Sequence, residues 1–139
     1  MARILVAASP EPRAVVERVL AGHELSCAET MAQAEQFLGE RTFDLIICTL
    51  VFDESKMFDL LRLAKSRPEW QRIPFVGARV RAYILRSPTT LEAAAFTCRE
   101  SGAAAFLDIA NYRVEPEREM RDAIERLLDT PPEGTADDD

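Results

Sequence analysis

The sequence predicts an α/β fold in which helices cover both faces of a parallel sheet. Five short apolar segments alternate with five segments of helical periodicity along 139 residues. Residues 3–8 and 44–49 are apolar without alternation, which is typical of strands buried on both faces. The chain has the length of one domain with a single core, and its 5 glycines are too few for a collagen-like or glycine-rich chain.

The predicted elements follow one another as five strand–helix units. Strands are expected at residues 3–8, 24–27, 44–49, 73–78 and 104–107. Helices are expected between Pro10 and Gly22, Thr30 and Leu38, Met57 and Ser66, Thr89 and Gly102, and Pro116 and Pro131. Ser9 is a candidate N-cap for the first helix, and capping-box patterns begin at Thr30 and Thr89.

Such a chain builds the flavodoxin-like sheet, with the strand order 2-1-3-4-5. Right-handed crossovers between successive parallel strands give this doubly wound arrangement. Sites in these folds lie at the carboxyl ends of the strands where the winding reverses, which here are strands 1 and 3. We therefore expect any functional residues just after these two strands.

Charge and hydropathy restrict the partners and the location. The net charge is −7, from 17 basic and 24 acidic residues, which disfavours binding to nucleic-acid backbones. No apolar run approaches the ~20 residues that cross a bilayer, and the N-terminus lacks a signal-peptide layout. We expect a cytoplasmic protein with a folded domain over residues 1–130. Residues 131–139 are expected to form a disordered acidic tail or the start of a linker.

Four stretches together resemble the receiver domain of bacterial response regulators, a CheY-like domain, over about residues 2–129. They are Arg3-Ile-Leu-Val6, Asp44-Leu-Ile-Ile47, Arg72-Ile-Pro-Phe-Val76 and Gly102-Ala-Ala-Ala-Phe-Leu107. The resemblance implies transfer of a phosphoryl group to an aspartate at the end of strand 3. It further implies Mg²⁺ held by acidic residues after strand 1, a hydroxyl after strand 4 and a lysine after strand 5.

This sequence departs from the family at each of those positions. Ala8 and Ser9 stand at the acidic pair, Thr49 at the phosphoacceptor and Ile109 at the lysine. Arg79 stands at the hydroxyl, or Ala78 does if the register shifts by one residue. An unactivated threonine hydroxyl is a poor nucleophile, and alanine and serine do not build a Mg²⁺ site. The resemblance therefore indicates a pseudo-receiver that has the scaffold without the phosphorylation site.

Charged residues near this site suggest other roles. Asp53 and Glu54 follow strand 3, where a relocated acidic site is the alternative to a solvated loop. Arg79 could reach over the pocket and pair with Asp53 or Glu54, locking one conformation. Alternatively, Arg79 and Arg81 anchor an anionic ligand, or they are exposed loop arginines.

The segment 79–90 is longer than receivers usually have there. Charged and apolar residues alternate in it, so an extended excursion carrying Tyr83 is predicted. This segment, or the surface of helix 4, strand 5 and helix 5, is a candidate interface for a protein partner or a homodimer. The alternative is a loop folded back on the core. Phe106 stands at the receivers' switch aromatic and is expected to be a core or interface residue.

No cofactor or metal is expected. Cys27, Cys48 and Cys98 are far apart in sequence, and the one histidine, His23, is expected in an exposed loop. Cys48 is expected to be an inert core thiol. The leading hypothesis is a non-enzymatic signalling module that acts through protein contacts. The alternatives are a small-anion sensor at the switch-point pocket and, least favoured, an enzyme.

Overall fold

A computed structural model of the chain describes residues 1–80, 87–111 and 115–129. The strands are β1 (Arg3–Ala7), β2 (Glu24–Ala28), β3 (Leu45–Thr49), β4 (Phe75–Arg79) and β5 (Ala105–Asp108). The helices are α1 (Pro10–Val19), α2 (Met31–Glu40), α3 (Met57–Ser66), α4 (Pro88–Glu100) and α5 (Pro116–Asp129). All five strands pair in parallel in the order β2-β1-β3-β4-β5, which confirms the predicted fold class and topology.

Side chains alternate across the sheet and build two apolar clusters. Leu5, Ile46 and Phe75 belong to the cluster under α2, α3 and α4. Ile4 and Ile47 belong to the cluster under α1 and α5. Because each central strand is covered on both sides, it carries apolar residues at every position, which is the pattern that the sequence shows.

The structure agrees with the predicted start of α2 and places that of α4 earlier than predicted. Thr30 Oγ1 accepts from the Gln33 amide, so the predicted N-cap of α2 is confirmed. Ser9 occupies the N-cap position of α1 without a side-chain capping bond. The predicted start of α4 at Thr89 was wrong, because Ser87 caps it two residues earlier by accepting from the Thr90 amide. Pro88 then fills the first helical position, which has no need of an amide proton.

A row of polar contacts fixes α5 against α1 at the amino-terminal edge of the sheet. Arg18 Nη2 lies 2.7 Å from Glu117 Oε2. Arg121 Nη1 donates to the carbonyl oxygens of Val19, the last residue of α1, and of Ala21, two residues beyond it. These residues of α5 are one helical turn apart, so one stripe of the helix contacts α1.

His23 extends the same stripe, and its predicted place in an exposed loop was wrong. Its side chain is 9% exposed. Nδ1 accepts from the Ala2 amide at 3.0 Å, and Nε2 lies 2.7 Å from Glu125 Oε1. Since Nδ1 accepts, the Nε2–H group is the donor of the hydrogen bond to the Glu125 carboxylate. The bond holds the pKa of Glu125 below its ordinary value.

Gly77 lets a helix approach the sheet closely. A Cβ placed on it would stand 2.9 Å from Cys98 Sγ, 3.0 Å from Met57 Sδ and 3.0 Å from Phe106 Cδ2. Cys98 is the one buried residue of α4. The docking of α4 therefore depends on a strand position without a side chain.

Candidate functional site

The carboxyl-terminal edge of the sheet collects the residues that the sequence singled out. Ala8 follows β1, Thr49 ends β3, Arg79 ends β4 and Ile109 follows β5. Ser9 stands beside Ala8 at the start of α1. Strand pairing places Thr49 beside Ala78, and Arg79 beside Asp108. The structure therefore brings the predicted positions to one edge.

Thr49 is enclosed at the position where a receiver holds its acceptor carboxylate. Thr49 is 2% exposed, and its buried Oγ1 has no hydrogen-bond partner among the residues that the structure describes. By strand alternation it shares a face with Leu45 and Ile47. Ala8 and Ile109 are buried in the cluster of that same face. The surroundings of the hydroxyl are apolar, which neither activates it as a nucleophile nor favours a charge there.

Arg79 pairs with a residue that sequence reasoning did not consider. Its Nη1 lies 3.5 Å from Asp108 Oδ2. Arg79 is the last residue of β4 and is 5% exposed, so the alternative of an exposed loop arginine was wrong. The predicted pairing with Asp53 or Glu54 was also wrong. Register explains the choice, because parallel pairing sets Arg79 and Asp108 side by side.

Asp53 is engaged elsewhere. Its Oδ2 accepts from the Met31 amide at 2.9 Å, at the start of α2, and lies 3.7 Å from Lys56 Nζ. Asp53, Glu54 and Ser55 all have left-handed backbones, with φ of 44°, 58° and 68°. A carboxylate at a helix N-terminus satisfies an amide that has no partner in the helix and complements the helix dipole. Asp53 thus ties the loop after β3 to α2, and Glu54 is exposed.

The residues at this edge do not fit Mg²⁺. Magnesium demands several hard oxygen ligands in octahedral geometry. The positions of the acidic pair hold Ala8 and Ser9, while Asp53 serves α2 and Asp108 pairs with Arg79. Within the described ranges, no three His, Cys, Asp or Glu residues form a group that could hold a metal ion.

Two of the predicted interface residues are outside the described part of the chain. Arg81 and Tyr83 fall there, with the rest of the predicted excursion over residues 81–86, as does the predicted tail. Phe106 is partly buried beside Gly77 and packs against the cluster under α2, α3 and α4. Its expected role as a core or interface residue stays a prediction.

Burial raises the pKa of all three cysteine thiols. The pKa of Cys48 lies well above its ordinary value, and that of Cys98 is raised to about 11. Burial and the charge of Glu17 raise the pKa of Cys27. Cys48 lies in the core, as the sequence predicted, and its raised pKa disfavours the reactive thiolate.

Comparison by sequence finds no match for this chain, whereas comparison by structure does. No protein-family model and no curated protein matches the sequence. The fold, in contrast, matches the receiver domain of a signal transduction histidine kinase from Syntrophus aciditrophicus. That match has a TM-score of 0.72 and 21% identity, and it covers 93% of this chain and 91% of the other.

Two further structures agree. The receiver domain of a sensor histidine kinase from Pseudomonas aeruginosa, with magnesium in its active-site cleft, has a TM-score of 0.72 at 16% identity. The match covers 93% of this chain and 98% of the Pseudomonas receiver domain. A phosphorylated cyanobacterial phytochrome response regulator has a TM-score of 0.73 at 16% identity, with coverages of 96% and 99%. The chain therefore has the fold of response-regulator receiver domains.

No helix within the described ranges is both long enough and apolar enough to span a membrane.

Proposed function

We propose that this chain is a phosphorylation-independent, cytoplasmic receiver module that signals through contacts with another protein or with a second copy of itself. The observation that carries the proposal is Thr49, buried at the place of the acceptor carboxylate, with a hydroxyl that finds no partner in the described part of the chain. A fold does not fix a function, so a receiver scaffold can act without the phosphorylation chemistry. We accordingly assign the chain no enzymatic activity.

The ion pair of Arg79 and Asp108 supports a permanently set conformation. A buried guanidinium beside a carboxylate keeps both side chains in one arrangement without a phosphoryl group. The same pair disfavours the alternative of an anion sensor, because an anion would have to separate Arg79 from Asp108. Charge at this edge is therefore balanced by the chain's own residues.

The candidate contact surface is that of α4, β5 and α5. β5 is an edge strand of the sheet. Phe96 of α4 is 62% exposed, whereas most large apolar side chains of the described ranges are buried or half-buried. We assign the contact to this surface because aromatic side chains are enriched in protein interfaces and Phe96 is an aromatic side chain in solvent.

Phosphoryl donors provide the first test. The chain is incubated with acetyl phosphate and Mg²⁺, and separately with beryllofluoride and Mg²⁺, beside a receiver that has its acceptor aspartate. We expect no phosphoryl adduct by mass spectrometry and unchanged amide NMR spectra, whereas the control receiver responds to both. An aspartyl adduct on this chain, or beryllofluoride shifts at Thr49, would overturn the proposal.

Self-association tests the surface. Phe96→Glu is compared with Ala32→Glu, which places the same charge on an exposed position of α2. In sedimentation velocity over a range of concentrations, we expect the Phe96 variant to lose association that the Ala32 variant retains. A wild-type chain that stays monomeric rejects the homodimer and leaves a different protein as the partner.

A further inference from the structure

A cavity of about 330 Å³ opens at the amino-terminal edge of the sheet. It lies between the first residues of β1 and β2 and the segment that joins α2 to β3. Its lining is mainly charged or hydroxyl-bearing: Arg3, Glu24, Ser26, Arg41, Thr42 and Phe43. Because Thr49 ends β3, the cavity and the degenerate phosphorylation site lie at opposite edges of the sheet.

The guanidinium of Arg41 is held in this cavity by uncharged groups. Its Nη1 donates to Ser26 Oγ at 2.9 Å, and its Cζ lies 5.1 Å from the centre of the Phe37 ring. Within the described ranges no carboxylate pairs with this guanidinium. A guanidinium has five N–H donors, so Arg41 keeps donors for a further acceptor.

The second guanidinium of the cavity has a carboxylate partner. Arg3 Nε lies 2.9 Å from Glu24 Oε2, and Arg3 Nη1 donates to Thr42 Oγ1 at 3.5 Å. The nearby Asp44 accepts from the backbone amide of Arg3 and does not line the cavity. Two guanidinium groups and one carboxylate therefore leave the lining with one excess positive charge.

The two hydroxyls add protons that lack acceptors. Ser26 is 5% exposed, and its Oγ accepts from Arg41, while Thr42 Oγ1 accepts from Arg3. Each hydroxyl still has its own proton to donate. Neither proton has an acceptor among the residues that the structure describes. The cavity thus offers an excess of donors together with an excess of positive charge, which is the chemistry that an oxyanion requires.

We propose that this cavity binds the carboxylate group of a small organic acid. One negative charge matches the one excess positive charge, whereas a phosphate group carries about −1.5 to −2 at pH 7. The net charge of −7 further disfavours a dianion. A carboxylate also pairs with the planar fork of a guanidinium through two parallel hydrogen bonds, here to Arg41, and its oxygens can accept from Ser26 and Thr42 as well. The cavity volume is at the lower end of the range for small-molecule sites.

Binding at this site goes beyond the proposed protein contacts and does not depend on them. No covalent bond forms or breaks, because the ligand is held by hydrogen bonds and charge alone. A carboxylate bound to Arg41 would connect the carboxyl-terminal end of α2 to the start of β2. We therefore expect the ligand to stabilise the fold as well, since it binds the folded chain and has no such site in the unfolded one.

Amide NMR titrations of the full chain at constant ionic strength test the site. The probe is benzoate, with benzamide as its uncharged counterpart and phenyl phosphate as the dianion. We expect benzoate to shift the signals of Ser26, Arg41 and Thr42 to saturation. Benzamide should leave these signals unchanged, and phenyl phosphate should bind more weakly than benzoate.

Substitutions in the cavity lining separate a specific site from general attraction of anions. Arg41→Gln should lower the benzoate affinity at least about 10-fold, because it removes a charged donor. Ser26→Ala should lower it about 2- to 10-fold. Arg72→Gln is the matched control, since it removes an exposed guanidinium just before β4 and should retain wild-type affinity.

Thermal unfolding without benzoate shows whether each variant folds. Arg41 and Thr42 are exposed, so Thr42→Val replaces Ser26→Ala if the latter unfolds, with the same expected loss of affinity. Shifts that grow without saturation, equal shifts with benzamide, or wild-type affinity in Arg41→Gln would each overturn the site. Tighter binding of phenyl phosphate would overturn the assignment to a carboxylate. None of these outcomes bears on the phosphoryl-donor experiment, which is decided by an aspartyl adduct and by the signals of Thr49.

Discussion

The two edges of the sheet handle charge in opposite ways. At the amino-terminal edge, Arg121 and Glu125 pair in partial contact with solvent, beside the largely buried His23. At the carboxyl-terminal edge, Arg79 is buried, and the enclosed hydroxyl of Thr49 has no partner among the described residues. Solvent screens the ion pair of the first edge, so its charges contribute little to stability. Burial at the second edge makes an added or unpaired charge costly, so that edge tolerates no new charge.

The largest expected effect comes from restoring a carboxylate at the carboxyl-terminal edge. Thr49→Asp places a charge among apolar side chains, so we expect the free energy of unfolding to fall by about 3–5 kcal/mol near neutral pH. Burial raises the pKa of such a group, so the loss should shrink as the pH falls. Urea unfolding at several pH values measures it. Thr49→Asn is the control, because asparagine has the size of aspartate without its charge. An equal loss of unfolding free energy in both variants would show that size causes the effect.

Removing the guanidinium is expected to be the next most damaging change. Arg79→Met leaves the Asp108 carboxylate without its buried counterion, and we expect a loss of about 3 kcal/mol. Arg72→Met makes the same substitution at an exposed position and should change stability by less than about 0.5 kcal/mol. Thermal and urea unfolding compare the two. Similar losses at both positions would contradict the difference drawn between buried and exposed arginines.

At the amino-terminal edge the expected effect is smaller and depends on pH. His23→Ala removes the bonds to the Ala2 amide and to Glu125, which should cost about 1–2 kcal/mol. The folded-state pKa of Glu125 is lowered mainly by His23. Its contribution is therefore fully present above the ordinary glutamate pKa and is lost as the pH falls through the lowered value.

The pH dependence separates this contact from general damage. Unfolding free energies measured across the acidic range should fall less steeply with acid in His23→Ala than in the wild type. Glu125→Gln removes the titrating group while His23 stays, and it should flatten the same range. A slope unchanged in both variants would show that this contact makes no measurable pH-dependent contribution.

The smallest effect is expected from an uncharged change at the carboxyl-terminal edge. Thr49→Val exchanges a hydroxyl that has no partner within the described ranges for a methyl group of similar size. Stability should therefore stay equal or rise by up to about 1 kcal/mol. Chemical unfolding beside the Thr49→Asp variant measures it. A clear loss would mean that the hydroxyl has a partner in solution.

The architecture was predictable from the sequence because its signals are local. Each buried strand is apolar throughout, and Thr30 and Pro116 mark helix starts within one turn. The strand order followed from connection rules that need no detailed contacts. The carboxyl-terminal edge was located for the same reason, since Thr49 and Ala8 simply follow strands.

The partners of the charged residues were not predictable, because they depend on register and on distant segments. Asp108 faces Arg79 through the pairing of β4 with β5, which no local pattern sets. Glu125 is 102 residues from His23 along the chain. Aligning the carboxyl ends of β4 and β5 would have suggested the contact between Arg79 and Asp108. No sequence signal pointed to the contact between His23 and Glu125.

The loop after β3 has a consequence for the evolution of this chain under selection for heat resistance. Asp53, Glu54 and Ser55 hold left-handed backbones that L-residues adopt at a cost of about 1–2 kcal/mol each. Glu54 is exposed, so its side chain gives no compensating packing. Random libraries grown at rising temperature should therefore accumulate glycine at position 54. Position 53 should keep its aspartate, because glycine has no carboxylate to accept from the Met31 amide at the start of α2.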